Sequence, residues 1–121
     1  MKKIARLLAP LVLVGAVAFG LTACAPEPIA LSSDTVIIDV RTADEFNSGH
    51  LEGALNLDVQ SVYFDELAQE LPLDGDYIIY CRSGNRSAAA IDRLEAMGFT
   101  SLTDAGGLQA AATATGLEIV E

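Results

Sequence analysis

Residues 77 to 91 constrain the fold more than any other stretch: Tyr77-Ile78-Ile79-Tyr80-Cys81-Arg82-Ser83-Gly84-Asn85-Arg86-Ser87-Ala88-Ala89-Ala90-Ile91. The first four residues are apolar, aromatic or β-branched, the composition of a strand covered on both faces, and the run ends on a thiol. Open α/β sheets bind ligands beyond the carboxyl ends of their strands, which is where Cys81 falls. A polar stretch with one glycine follows, then Ser87 before an alanine-rich run. Gly84 tolerates a positive φ and Ser87 is predicted to be a helix N-cap, so the chain curls back over Cys81. Such a loop aims backbone N–H groups and the positive end of a helix at one point, the arrangement that holds anions and favours a thiolate. Arg82 and Arg86 add two permanent charges. Cys81 is therefore the candidate nucleophile, and Arg82, Ser83, Gly84, Asn85, Arg86 and Ser87 are the candidate binding residues for an anionic, electrophilic substrate. The alternative, a buried cysteine that merely ends a strand, leaves the two arginines and the capped helix unexplained.

The loop resembles the active-site loop of the rhodanese (thiosulfate sulfurtransferase) family. A second block, Asp39-Val40-Arg41-Thr42-Ala43-Asp44-Glu45-Phe46-Asn47-Ser48-Gly49-His50-Leu51-Glu52-Gly53-Ala54-Leu55-Asn56-Leu57, is similar to that family's amino-terminal signature. Two motifs in the right order are far more specific than either alone, and the similarity runs from about Val36 to Leu117. It implies a three-layer α/β/α domain with a five-stranded parallel sheet and no cofactor. It also implies that Cys81 carries sulfur as a persulfide, taken from thiosulfate or a similar anionic donor and given to a thiol or cyanide. Asp39, Arg41 and His50 match structural positions near the loop. Whether Asp39 and Arg41 bond each other, the backbone or the loop is left open by the sequence. A general-base reading of His50, the single histidine, is disfavoured because sulfur transfer from a thiolate needs no proton-abstracting imidazole.

The 121 residues suffice for one domain. Lys2, Lys3 and Arg6 precede an apolar run from Leu7 to Leu21, and no acidic residue comes before Glu27. Such a segment reads as an export signal, too short and too interrupted for a comfortable transmembrane helix. Its end, Leu21-Thr22-Ala23-Cys24, resembles the bacterial lipobox, which implies a lipidated Cys24 at the new amino terminus and a membrane anchor on the extracytoplasmic face. The rival is an ordinary signal cut near Ala23 or Ala25. Beyond the signal, four arginines stand against 17 acids, a charge of −13 with no lysine. That balance argues against nucleic acid as a partner, since binding it needs a basic footprint. With Cys24 assigned to lipid, Cys81 has no disulfide partner, and an exported thiol without one points to reaction.

Residues 24–34 read as a polar, proline-bearing tether and residues 35–121 as the domain. Val36 to Val40 is predicted to be a strand. Thr42 and Glu45 have capping-box spacing for a short helix from Ala43 to Ser48, stopped by Gly49. Ala54 to Leu57 reads as a short strand. Val62 to Leu71 reads as an amphipathic helix with Val62, Leu67, Ala68 and Leu71 inward. After the loop comes a helix carrying Ala88, Ile91, Leu94 and Ala96, closed by Gly98. A short strand around Leu102 follows, then Gly106-Gly107 and a weak helix over Leu108 to Thr115. Alternating strands and helices imply a right-handed parallel sheet. One departure from the family is Ala111, where its members commonly carry a tryptophan after the paired glycines, so a marginal carboxyl terminus is expected.

Two other functions share these features. Phosphatases and arsenate reductases also set a cysteine and an arginine around an oxyanion, but their loops resemble Cys-x5-Arg, whereas Cys81 to Arg86 is Cys-x4-Arg. The shorter cradle suits one sulfur atom better than a tetrahedral phosphate. A membrane-tethered persulfide carrier or redox-sensing module needs the same site without turnover, and only kinetics separates it from an enzyme.

Overall fold

The computed structural model describes residues 26–121; the predicted export signal and Cys24 lie outside the described residues. The elements run β1 (Thr35–Asp39), α1 (Ala43–Asn47), β2 (His50–Leu51), β3 (Leu55–Asn56), α2 (Phe64–Ala68), β4 (Asp76–Cys81), α3 (Asn85–Met97), β5 (Ser101–Gly107), α4 (Leu108–Thr115) and β6 (Ile119–Val120). Four strands form a parallel sheet in the order β3-β1-β4-β5, and β2 pairs antiparallel with β6. The three-layer parallel architecture is as expected. The strand count differs, with four parallel strands among the described residues where the resemblance implied five, and with a small ribbon that the sequence does not announce.

Strand periodicity builds two cores, one on each side of β1 and β4. On one side Ile38, Val40, Tyr77, Ile79 and Cys81 pack with Phe64, Ala68, Ala90, Leu94 and Phe99, contributed by α2, α3 and the turn after α3. On the other, Ile37, Ile78 and Tyr80 pack with Leu51, Ala105 and Ala111, so α4 and the ribbon form the third layer. Ile29 packs against this second core, and its N–H donates to the Ala114 carbonyl at 2.8 Å. Ile29, upstream of the predicted domain boundary and within the predicted tether, is thus docked on α4.

Two helices differ from expectation. Only Phe64–Ala68 forms α2, and Val62 is 90% exposed while Phe64 is fully buried. Ala68 and Leu71 face the core as predicted, but Phe64, at helical spacing with them, takes the place of Val62 because the aromatic ring buries more area. Leu67 is exposed as well. In α3 the inward residues are Ser87, Ala90 and Leu94, with Ile91 half-buried and Ala88 and Ala96 exposed. Gly98, at φ 104°, closes α3 as predicted.

Candidate active site

Strand β4 lies between β1 and β5, and its last residue, Cys81, pairs with Gly107. The turn beyond it is tighter than the sequence suggests. Helix α3 begins at Asn85, with Gly84 as its N-cap at φ 100°. Ser87 is therefore inside the first turn of α3 and is not its cap, because a glycine in the left-handed region lets the chain reverse three residues earlier. The reversal drops the Gly84 N–H onto Cys81 Sγ at 2.8 Å, and the thiol lies 3.6 Å from Ser87 Oγ. Gly107 permits the closeness of β5 to this turn: a Cβ there would stand 2.5 Å from the Arg82 carbonyl oxygen.

The thiol is fully buried. Burial opposes its ionisation, but the N–H groups of Ser87, Gly84 and Ser83 directed at the sulfur, with the Ser87 hydroxyl beside it, outweigh burial and hold its pKa below the ordinary thiol value. An open groove of about 780 Å³ adjoins the loop. Arg41, Asp44, Glu45 and Ser48 line one side of it; Arg82, Ser83 and the residues from Gly107 to Ala110 complete it. The groove reaches the two residues after Cys81, not the sulfur itself.

The predicted binding arginines part company. Arg82 is exposed on the loop and lines the groove. Arg86 is turned to α1, where its two terminal nitrogens each donate at 2.8 Å to one oxygen of Glu45. Arg86 draws the Glu45 carboxyl down to about 2. The capping spacing of Thr42 and Glu45 is real: Glu45 N–H donates to Thr42 Oγ1 at 3.3 Å and the Thr42 hydroxyl donates to Glu45 Oε1 at 3.2 Å, while the same carboxylate also takes Arg86. Sequence spacing alone finds the cap and misses the clamp, since 41 residues separate the ion-paired partners.

Asp39 and Arg41 bond each other. Arg41 Nε and Nη2 donate to the fully buried Asp39 carboxylate, at 2.7 Å for Nη2, which also reaches the Gly49 carbonyl at 2.6 Å. The pair supports the chain below the groove and does not touch the loop sulfur. His50 stacks on Phe46 with ring centroids 3.7 Å apart, and its Nδ1 is 2.9 Å from the Phe46 carbonyl oxygen. That is a turn-holding arrangement. Asn85 is exposed at the first position of α3. No group of metal-ligating side chains occurs among the described residues.

One residue at the site was not singled out from the sequence. Asp104, on β5, accepts a hydrogen bond from Ser87 Oγ at 2.8 Å and from the Gly106 N–H at 2.9 Å. Nothing local marks it among 17 acids; only the pairing of β5 with β4 brings it to the loop.

A parallel sheet with a buried cysteine at the end of a strand, closed over by a loop that donates an N–H bond to its sulfur, has the geometry expected of a cysteine-based group-transfer site. The Rhodanese-like domain model matches residues 28–113, and the chain belongs to that family. It is 34% identical over 73 residues to "Thiosulfate sulfurtransferase PspE" of Escherichia coli, covering 60% of this chain and 69% of that protein. It is 34% identical over 92 residues to "Sulfurtransferase" of Allochromatium vinosum, covering 76% and 84%. Among solved structures, "rhodanese with anions from E. coli" superposes with a TM-score of 0.61 at 28% identity, covering 72% of this chain and 98% of that one.

Proposed function

We propose that this protein moves a sulfane sulfur through a Cys81 persulfide. The sulfurtransferase class follows from the family and its relatives; the donor, the acceptor and the residue roles are our reading. The observation that carries it is the Gly84 N–H 2.8 Å from a sulfur whose ionisation the loop favours. In the first step the Cys81 thiolate attacks the outer sulfur of an anionic donor such as thiosulfate. The S–S bond to the sulfonate breaks, its electron pair leaves with sulfite, and Cys81 carries the persulfide anion. In the second step a thiolate or cyanide takes the terminal sulfur and Cys81 is again a thiolate, so no oxidant, reductant or metal is consumed. Arg82 at the groove meets the donor, and loop N–H groups hold the negative charge that remains on sulfur. Arg86, neutralised by Glu45, fixes the loop against α1 and adds less charge to donor binding than the sequence suggests.

We also propose that export and lipidation at Cys24 anchor the domain to a bacterial membrane. The basic, apolar and lipobox-like succession of residues 2–24 supports this. No helix among the described residues is long and apolar enough to cross a membrane.

Mass spectrometry after thiosulfate treatment tests the sulfur reading. The expected result is a gain of one sulfur atom that Cys81→Ser abolishes, followed by turnover with a small thiol or cyanide. A single stoichiometric burst would identify a carrier. Phosphate release from a model ester in place of sulfur loading would overturn the proposal.

A further inference from the structure

Ser87 Oγ has one proton and three acceptors around it. The Gly84 carbonyl oxygen is at 2.9 Å, Asp104 Oδ1 at 2.8 Å and Cys81 Sγ at 3.6 Å. A hydrogen bond to an ionised carboxylate is about twice as strong as one to a neutral acceptor, and this carboxylate is also the nearest of the three. The proton accordingly belongs to Asp104, which the Gly106 N–H holds in place. In the thiol form the order is consistent from end to end: Cys81 donates to Ser87, and Ser87 donates to Asp104. In the thiolate form it is not, because the sulfur then needs the same proton that the carboxylate holds.

We infer that Asp104 is a positioning residue for Cys81: by holding the hydroxyl proton of Ser87, it withholds one hydrogen bond from the thiolate and so sets how readily the sulfur ionises. The sulfur in a persulfide places its charge on the outer atom, away from Ser87, so that state does not compete for the proton. Asp104 thereby disfavours the empty thiolate relative to the loaded form. This consequence for sulfur retention rests on the transfer reading above, whereas the effect on ionisation does not.

The other charges that face this pocket do not supply the same contact. Arg86, on α3, is the cation that senses the thiolate, and it is bound to Glu45 of α1, with Asp58 also within its field. Arg41, after β1, is bound to Asp39. Arg82 projects to solvent.

The test is the ultraviolet absorbance of the thiolate, titrated in the full-length protein and corrected by subtracting Cys81→Ser, which removes contributions from tyrosines and Cys24. Asp104→Ala is expected to lower the titration midpoint by roughly one pH unit, the worth of about one hydrogen bond, and Asp104→Asn by less, since a neutral acceptor remains. In a Ser87→Ala background the same Asp104 substitutions should shift it by no more than a small fraction of that. An unchanged or raised midpoint in Asp104→Ala overturns the inference. So does an equal shift without the Ser87 hydroxyl, which would make the effect a through-space field. A merely structural Asp104 would lower the melting temperature and leave the midpoint in place. Failure of the sulfur-transfer reading would show separately, as no sulfur gained from thiosulfate.

Discussion

Both oxygens of the Glu45 carboxylate accept from one guanidinium, Oε1 taking the Thr42 hydroxyl as well, which ties α1 to the start of α3 and makes the tie sensitive to acid. Its folded pKa, about 2, lies below the ordinary 4.5, so the stabilisation is fully present above about 4.5 and is lost as pH falls toward 2. Glu45→Gln is expected to cost about 0.5–1 kcal/mol near neutrality, as for a partly exposed pair of good geometry. In thermal melts that difference from the parent should shrink steadily below pH 4.5 and vanish near 2. At this scale the sequence was legible where chemistry is local. A cysteine, a glycine and a serine within seven residues announced the loop, and the structure brings them together around Sγ. Partners joined only by the sheet or by α1, namely Asp104 with Ser87 and Glu45 with Arg86, left no local trace. The position of Ser87 was misread for a related reason: serine is a good cap, but Gly84 reverses the chain first.

Among the elements, β5 and the loop after β4 meet backbone to backbone at Gly107 and Arg82. A methyl group at residue 107 has no flexible side chain to displace, so Gly107→Ala is expected to cost about 1–3 kcal/mol and to push the loop off the sulfur. Denaturant unfolding measures the first effect, and a rise in the Cys81 thiolate titration midpoint measures the second. Helix α4 runs over Leu108 to Thr115 as the sequence implied, although it lacks the large aromatic usual at residue 111. Ala111 is fully buried in the second core, which Ile29, Leu108 and Leu117 help to cover. With the interior closed around a small side chain, Ala111→Trp should destabilise by about 1–3 kcal/mol, not restore lost packing. A higher melting temperature in that variant would show an unfilled space there. Element existence was legible from strand composition and helix punctuation. The inward face of α2 was legible at Ala68 and Leu71 but not at Val62 and Leu67, because two apolar stripes overlap in residues 62 to 71 and the bulk of Phe64 decides between them.

Over the whole molecule, the parallel layers follow from alternating apolar strands and helices. The β2–β6 ribbon does not, since it joins two dipeptides 69 positions apart in the chain. Residues 26–121 carry four arginines against 17 acids, nearly all of them outside the core. Such a field repels an anionic donor until salt screens it within about 8 Å at physiological strength. The second-order rate for thiosulfate should therefore rise moderately from low salt to physiological salt, while that for a neutral acceptor stays flat; stopped-flow loading at several ionic strengths checks it. At the amino-terminal end, Ile29 is already fastened to α4 through the Ala114 carbonyl. Counting back from that knot, only residues 25–28 separate it from Cys24, so the anchor proposed there would give a leash of about 17 Å at full stretch. A domain held so short would patrol the immediate neighbourhood of the surface that bears it, and would meet sulfur compounds there before those in the open fluid.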